Sequence, residues 1–131
     1  MLGLGGHGWG ESHPLKTAEF FSATQPSVIG IVSLTLIYDQ YTHMFPPLYE
    51  DMRNGTFVEA GELERYEELK CFIEHLDCET VVAGQHSTMP YWIAGRMPRD
   101  KEKVLEKIDW VLENGDEQHM RSFRDMGVQD T

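Results

Sequence analysis

The run Val28-Ile29-Gly30-Ile31-Val32-Ser33-Leu34-Thr35-Leu36-Ile37 constrains this chain more than any other stretch. It is nearly continuous, apolar and rich in β-branched residues. At strand length it falls far short of the roughly 20 apolar residues that span a bilayer. A run without alternation reads as a strand covered on both faces, as in a parallel sheet. Such a strand needs neighbours on both edges. The rest of the chain offers a stub at 1–4 and a short strand at 80–83. Too few partners leave backbone groups and apolar surface open. The chain therefore pairs with something else or forms a piece of a larger sheet.

The remaining elements follow from local signals. Ser12 caps a helix to about residue 23, with Pro14 in its first turn. Pro47 and Gly55 bracket a short helix at 48–54. Leu63, Tyr66, Leu69, Phe72, Ile73 and Leu76 recur at helical spacing across 62–76. Residues 84–98 read as irregular. Val104, Leu105, Ile108, Val111 and Leu112 mark a helix across 100–115. Asp116 caps a last short helix bearing Met120 and Phe123, and disorder is expected after Gly127. The order of strands and helices predicts an α/β fold with parallel, right-handed crossovers. Its 131 residues suffice for one domain.

The formal net charge of −11 disfavours non-specific nucleic-acid binding, which needs Lys and Arg to neutralise phosphates. The acidic residues concentrate at 59–77 and 100–125, as solvated helix faces do. The start of the sequence lacks a basic segment followed by an apolar one, so no signal peptide or membrane partner is expected and a cytoplasmic location is the default. The two cysteines, Cys71 and Cys78, lie too far apart for a zinc pair. No metal site is assigned.

Gly3-Leu4-Gly5-Gly6-His7-Gly8 formally matches the dinucleotide-binding G-x-G-x-x-G pattern. No full strand precedes it and no acidic residue follows about twenty positions on, so another role for this turn is favoured. Of six histidines, none are spaced as metal ligands; His7 and His13 flank the turn, and His86 follows a short strand, where barrel sites lie. Ser33, Ser87 and Thr88 need a placed base to act as nucleophiles. Glu11 suits an acid–base role or simply the positive end of its helix. Tyr91 and Trp92, with Arg96 and Arg99, could stack a flat ligand or pack a surface loop.

Taken in order, these motifs resemble the C-terminal part of radical S-adenosylmethionine (radical SAM) enzymes, those of cobalamin-type or magnesium-protoporphyrin-cyclase-like relationship. The likeness lies in Gly3-Leu4-Gly5-Gly6, then His13-Pro14-Leu15-Lys16-Thr17-Ala18, then Ser33-Leu34-Thr35-Leu36. It continues through the helix and Gly–Phe segment at 47–57, a long helix ending Leu76-Asp77, a strand, His86-Ser87-Thr88, and the motif at 95–103. It covers roughly residues 1–115.

The resemblance implies the last strands and helices of a partial (β/α) barrel with a helical C-terminal extension. Residues 1–85 would be the barrel-like portion and 86–131 the loop and extension, within a single domain or domain fragment. It implies S-adenosylmethionine and a [4Fe–4S] cluster as cofactors of the intact enzyme. By that likeness Gly5 and Gly6 approach the S-adenosylmethionine, and Val32, Ser33 and Leu34 line its adenine side. His86 and Arg96 are the candidate substrate-binding residues, and no catalytic residue is assigned. The cluster requires three thiolates from a Cys-x-x-x-Cys-x-x-Cys loop, which this chain lacks, so the partner would be an N-terminal barrel half. The alternatives are a non-catalytic α/β interaction protein that forms a homo-oligomer, and a nucleotide-binding module using the glycine turn.

Overall fold

The apolar run meets its neighbours in two halves. In a computed structural model, which describes residues 1–8, 12–36 and 44–129, regular strand covers only Val28–Gly30 (β1). β1 runs parallel to Thr80–Gly84 (β2), with Ile29 opposite Val82. Beyond β1 a parallel bridge joins Ser33 to Leu2 on the other edge. There the Leu2 amide donates to the Val32 carbonyl at 2.8 Å, and the Leu34 amide to the Leu2 carbonyl at 2.9 Å. The stub and the strand near 80 are thus the neighbours expected. A single long strand is not formed, because neither partner runs alongside its whole length. Residues 37–43 and Glu11 lie outside the described residues.

Ile93–Met97 (β3) pairs antiparallel with β2, giving the sheet order β1-β2-β3. This corrects two expectations, that 84–98 is irregular and that the sheet is purely parallel. Gly95 and Ala94 blur the apolar alternation that would have marked the strand. The hairpin loop spans the 85/86 division, so both portions build one sheet.

Among the described residues five helices accompany the sheet: α1 (Ser12–Thr24), α2 (Pro47–Asn54), α3 (Glu62–His75), α4 (Lys101–Asn114) and α5 (Glu117–Gln129). The last extends past Gly127, where disorder was expected. None of the described helices is long and apolar enough to cross a membrane. α2 ends where Gly55 turns left-handed at φ 77° and its amide returns to the last turn. α3 packs between α1 and α4. Its Tyr66, Leu69 and Ile73 join Ile29, Val82, Ile93 and Met97 of the sheet, and Ile108 and Val111 of α4, in one buried core.

Among the described residues, only one face of the sheet is covered. Strand residues alternate, with Ile29, Val82, Ile93 and Met97 buried and Val28, Val81, Ala94 and Arg96 exposed. On the open side Val28 is 58% exposed, and a side chain at Gly30 would meet nothing. The free edge of β3 is blunted at Arg96, whose amide donates to Asp100 Oδ2 at 2.9 Å while its carbonyl accepts from the Asp100 amide at 2.8 Å.

Candidate functional site at the strand ends

Three of the motifs picked out in the sequence converge where β1 and β2 end. Parallel α/β sheets place their ligands at this end of the strands. Ile31 continues the ladder by donating to the Ala83 carbonyl at 2.9 Å. The pairing of β1 with β2 ends there, and among the described residues the amide of Ser33 meets no backbone acceptor. Thr88 supplies one: its Oγ1 accepts from the Ser33 amide at 3.1 Å. The Thr88 side chain also meets His86 Nδ1 at 2.9 Å. Thus the stretch 32–34 lies between Leu2, which leads into the glycine turn, and the element at 86–88.

The glycine turn is held by carboxylates. Gly3, Gly6 and Gly8 all have positive φ, 71° to 77°, which glycine adopts without strain. The Gly3 amide donates to Glu68 Oε2 at 2.7 Å, and the Gly8 amide to Glu64 Oε1 at 2.8 Å. The same carboxylates meet His13 Nδ1 at 3.2 Å and His7 Nδ1 at 2.9 Å. Burial pushes the Glu64 carboxyl up, but hydrogen bonds from Gly8, His7 and Gly61 outweigh it and hold the group below its ordinary value. A pyrophosphate at this turn would find the Gly3, Gly6, His7 and Gly8 amides taken and two carboxylates beside them. The dinucleotide match is therefore one of pattern only. Gly6 is needed for packing: a Cβ there would stand 2.7 Å from the Val58 carbonyl and 2.9 Å from the Phe57 ring.

Behind the site lies a charge network. Arg65 and Arg124 are each 1% exposed. Both donate to the Leu34 carbonyl, at 2.6 and 3.1 Å. Arg124 also reaches Glu62 Oε1 at 2.8 Å, and both guanidiniums share Glu59 Oε1 at 3.1 and 3.2 Å. Burial and the neighbouring Arg124 pull the Arg65 guanidinium below its ordinary value, against the opposing pull of Glu62 and Glu59. The sequence holds a signal for this network. Glu62 and Arg65 stand on the stripe continued by Tyr66, Leu69, Phe72 and Ile73, where a charged residue must be paired if it is buried.

Other sequence candidates lie elsewhere. Arg96 is paired opposite Val81, at the far end of β2 from His86. Tyr91 packs edge-on against Tyr66 and Trp110, so it belongs to the core rim. Arg99 pairs with Asp100 at 3.0 Å. A cavity of about 230 Å³ opens beside the turn, with Leu2, Leu4, His13, Phe21 and Glu68 on its walls. Among the described residues, no three His, Cys, Asp or Glu side chains form a metal-holding group. Burial pushes the Cys78 thiol up, the opposite of what a thiolate ligand requires.

No protein-family model, curated protein or solved structure matches this chain.

Proposed function

We propose that this chain is the C-terminal portion of a radical SAM enzyme and contributes part of the S-adenosylmethionine pocket. The observation that carries this reading is the convergence of the glycine turn, 32–34 and 86–88 at the strand ends, beside a sheet with one open face. Burial alternates along β1 and beyond it. Val32 and Leu34 are half-buried and continue the series of Val28 and Gly30, whereas Ser33 is buried in the series of Ile29 and Ile31. Val32 and Leu34 therefore suit a flat adenine by side-chain contact, and Ser33 by backbone alone. Gly5 is exposed and open to a ligand, while Gly6 serves the turn. The open face suits the inner wall of a partial barrel whose other strands come from an N-terminal half.

The cluster does not fit this chain, which has two cysteines and no three-thiolate loop. Its ligands belong to the N-terminal half, and this chain's own part is confined to binding and orienting S-adenosylmethionine. The deciding experiment is to sequence the DNA upstream of the Met1 codon. An in-frame or adjacent Cys-x-x-x-Cys-x-x-Cys, together with S-adenosylmethionine binding by the co-expressed pair, supports the reading. No such loop upstream overturns it.

The open face also favours a second reading, a non-catalytic protein that self-associates through it. A stable dimer of the isolated chain with no affinity for S-adenosylmethionine supports that alternative.

A further inference from the structure

We propose that Thr88 fixes the His86 ring as an Nε2–H donor, making the strand ends a site for a ligand that presents an acceptor oxygen, carboxylate or carbonyl. The proposal deepens the reading above and relies on it for placing the ligand at these strand ends. The argument begins with hydrogen count. The Thr88 amide can only donate, and it points at His86 Nδ1 from 3.2 Å. Thr88 Oγ1 accepts from the Ser33 amide at 3.1 Å, which directs its own hydrogen elsewhere. Nδ1 lies 2.9 Å from that oxygen and receives it. Two donors thus converge on Nδ1, and the hydrogen of the neutral ring sits on Nε2.

Thr88 is 5% exposed, so its hydroxyl is not free to turn to solvent instead. The loop is braced as well. The Met89 amide closes onto the His86 carbonyl at 2.9 Å, and α5 lies so close that a Cβ on Gly127 would collide with the Ser87 carbonyl. His86 as a whole is exposed. A fixed donor on a braced loop, at the end of parallel strands, selects for an acceptor and against a second donor. Thr88 is thus a positioning residue for His86.

The test reads the ring directly, on the full chain with ¹⁵N-labelled histidine, in buffer alkaline enough for a neutral ring. Nε2 is expected to show the shift of a protonated nitrogen and Nδ1 that of an unprotonated one. Thr88→Ser keeps the pattern, and Thr88→Val moves it toward a mixture of tautomers. If Thr88→Val fails to fold, the wild-type and Thr88→Ser spectra still decide. A proton on Nδ1 in the wild type overturns the assignment. Sodium acetate and N-methylacetamide are then titrated in turn. A saturable shift of the His86 Nε2–H with acetate marks a carboxylate ligand, and one with the amide marks a carbonyl. No saturable shift with either overturns the ligand site. Neither readout uses S-adenosylmethionine, so a failure here is separable from a failure of the radical SAM reading.

Discussion

At the scale of single residues, two charged groups illustrate opposite regimes. Arg124 is buried, and its removal leaves Glu62, 2% exposed, without its guanidinium partner. Breaking a buried pair by deleting one member costs about 3–5 kcal/mol, because the other charge stays desolvated. Arg124→Ala is therefore expected to lose stability of that order in urea unfolding. Arg124→Lys, which keeps the charge but not the fork that reaches Glu62, Glu59 and Leu34 together, falls between. Asp100 lies at the surface, and its contribution is one of pH rather than size. The Arg99 side chain, and then the Arg96 amide, hold its carboxyl down at about 2. A lowered carboxyl stabilises the fold above its unfolded value of about 3.9, and that contribution disappears as pH falls through the folded value. The stability difference between wild type and Asp100→Asn should stay constant above pH ~5 and shrink toward pH ~2, as read from acid titration of the folded fraction.

At the scale of elements, α5 is held through contacts with positions far away in the sequence. Glu117 caps the first turn of α3 through the amides of Glu62 and Leu63, Arg124 grips the Leu34 carbonyl beyond β1, and Gly127 abuts Ser87. Two effects compete in Gly127→Ala. Helix propensity favours alanine by roughly 1 kcal/mol. The added Cβ would overlap the Ser87 carbonyl, which is backbone and cannot swing away. The collision wins, so faster amide exchange across α5 and in the 86–88 loop is expected. Slower exchange would mean that propensity dominates. The helices were legible in the sequence because Pro47, Gly55 and the Leu69–Phe72–Ile73 spacing are local signals. β3 was not, since Gly95 and Ala94 carry no alternation. Nor was the Thr88–Ser33 bond, because it depends on where the pairing of β1 with β2 ends, a fact of register that no local pattern encodes. The glycine turn was legible as a turn, but that Glu64 and Glu68 occupy its donors depends on where α3 docks.

At the scale of the whole molecule, the sheet's open face and the net charge of −11 pull in different directions. Exposed apolar surface with Val28 at 58% and Val81 at 39% favours association. Like charge spread over two copies opposes a dimer and is screened by salt. A separate N-terminal half need not share that charge. The two functional readings therefore part in the ultracentrifuge. If the face belongs to a barrel completed by another half, the isolated chain sediments as a monomer at low salt and forms a complex only with that half. If the chain self-associates, it dimerises alone, and more strongly as salt rises. Val81→Lys separates folding from docking, since Val81 is already 39% exposed and β2 is held through its buried Thr80, Val82 and Gly84. Its cost to stability should stay within about 0.5 kcal/mol, the ordinary range for surface substitutions. Its effect on whichever complex forms should be large, because a desolvated ammonium would face an apolar partner surface. A complex that survives Val81→Lys undiminished would place the interface elsewhere, and the open face would have to be explained without a partner.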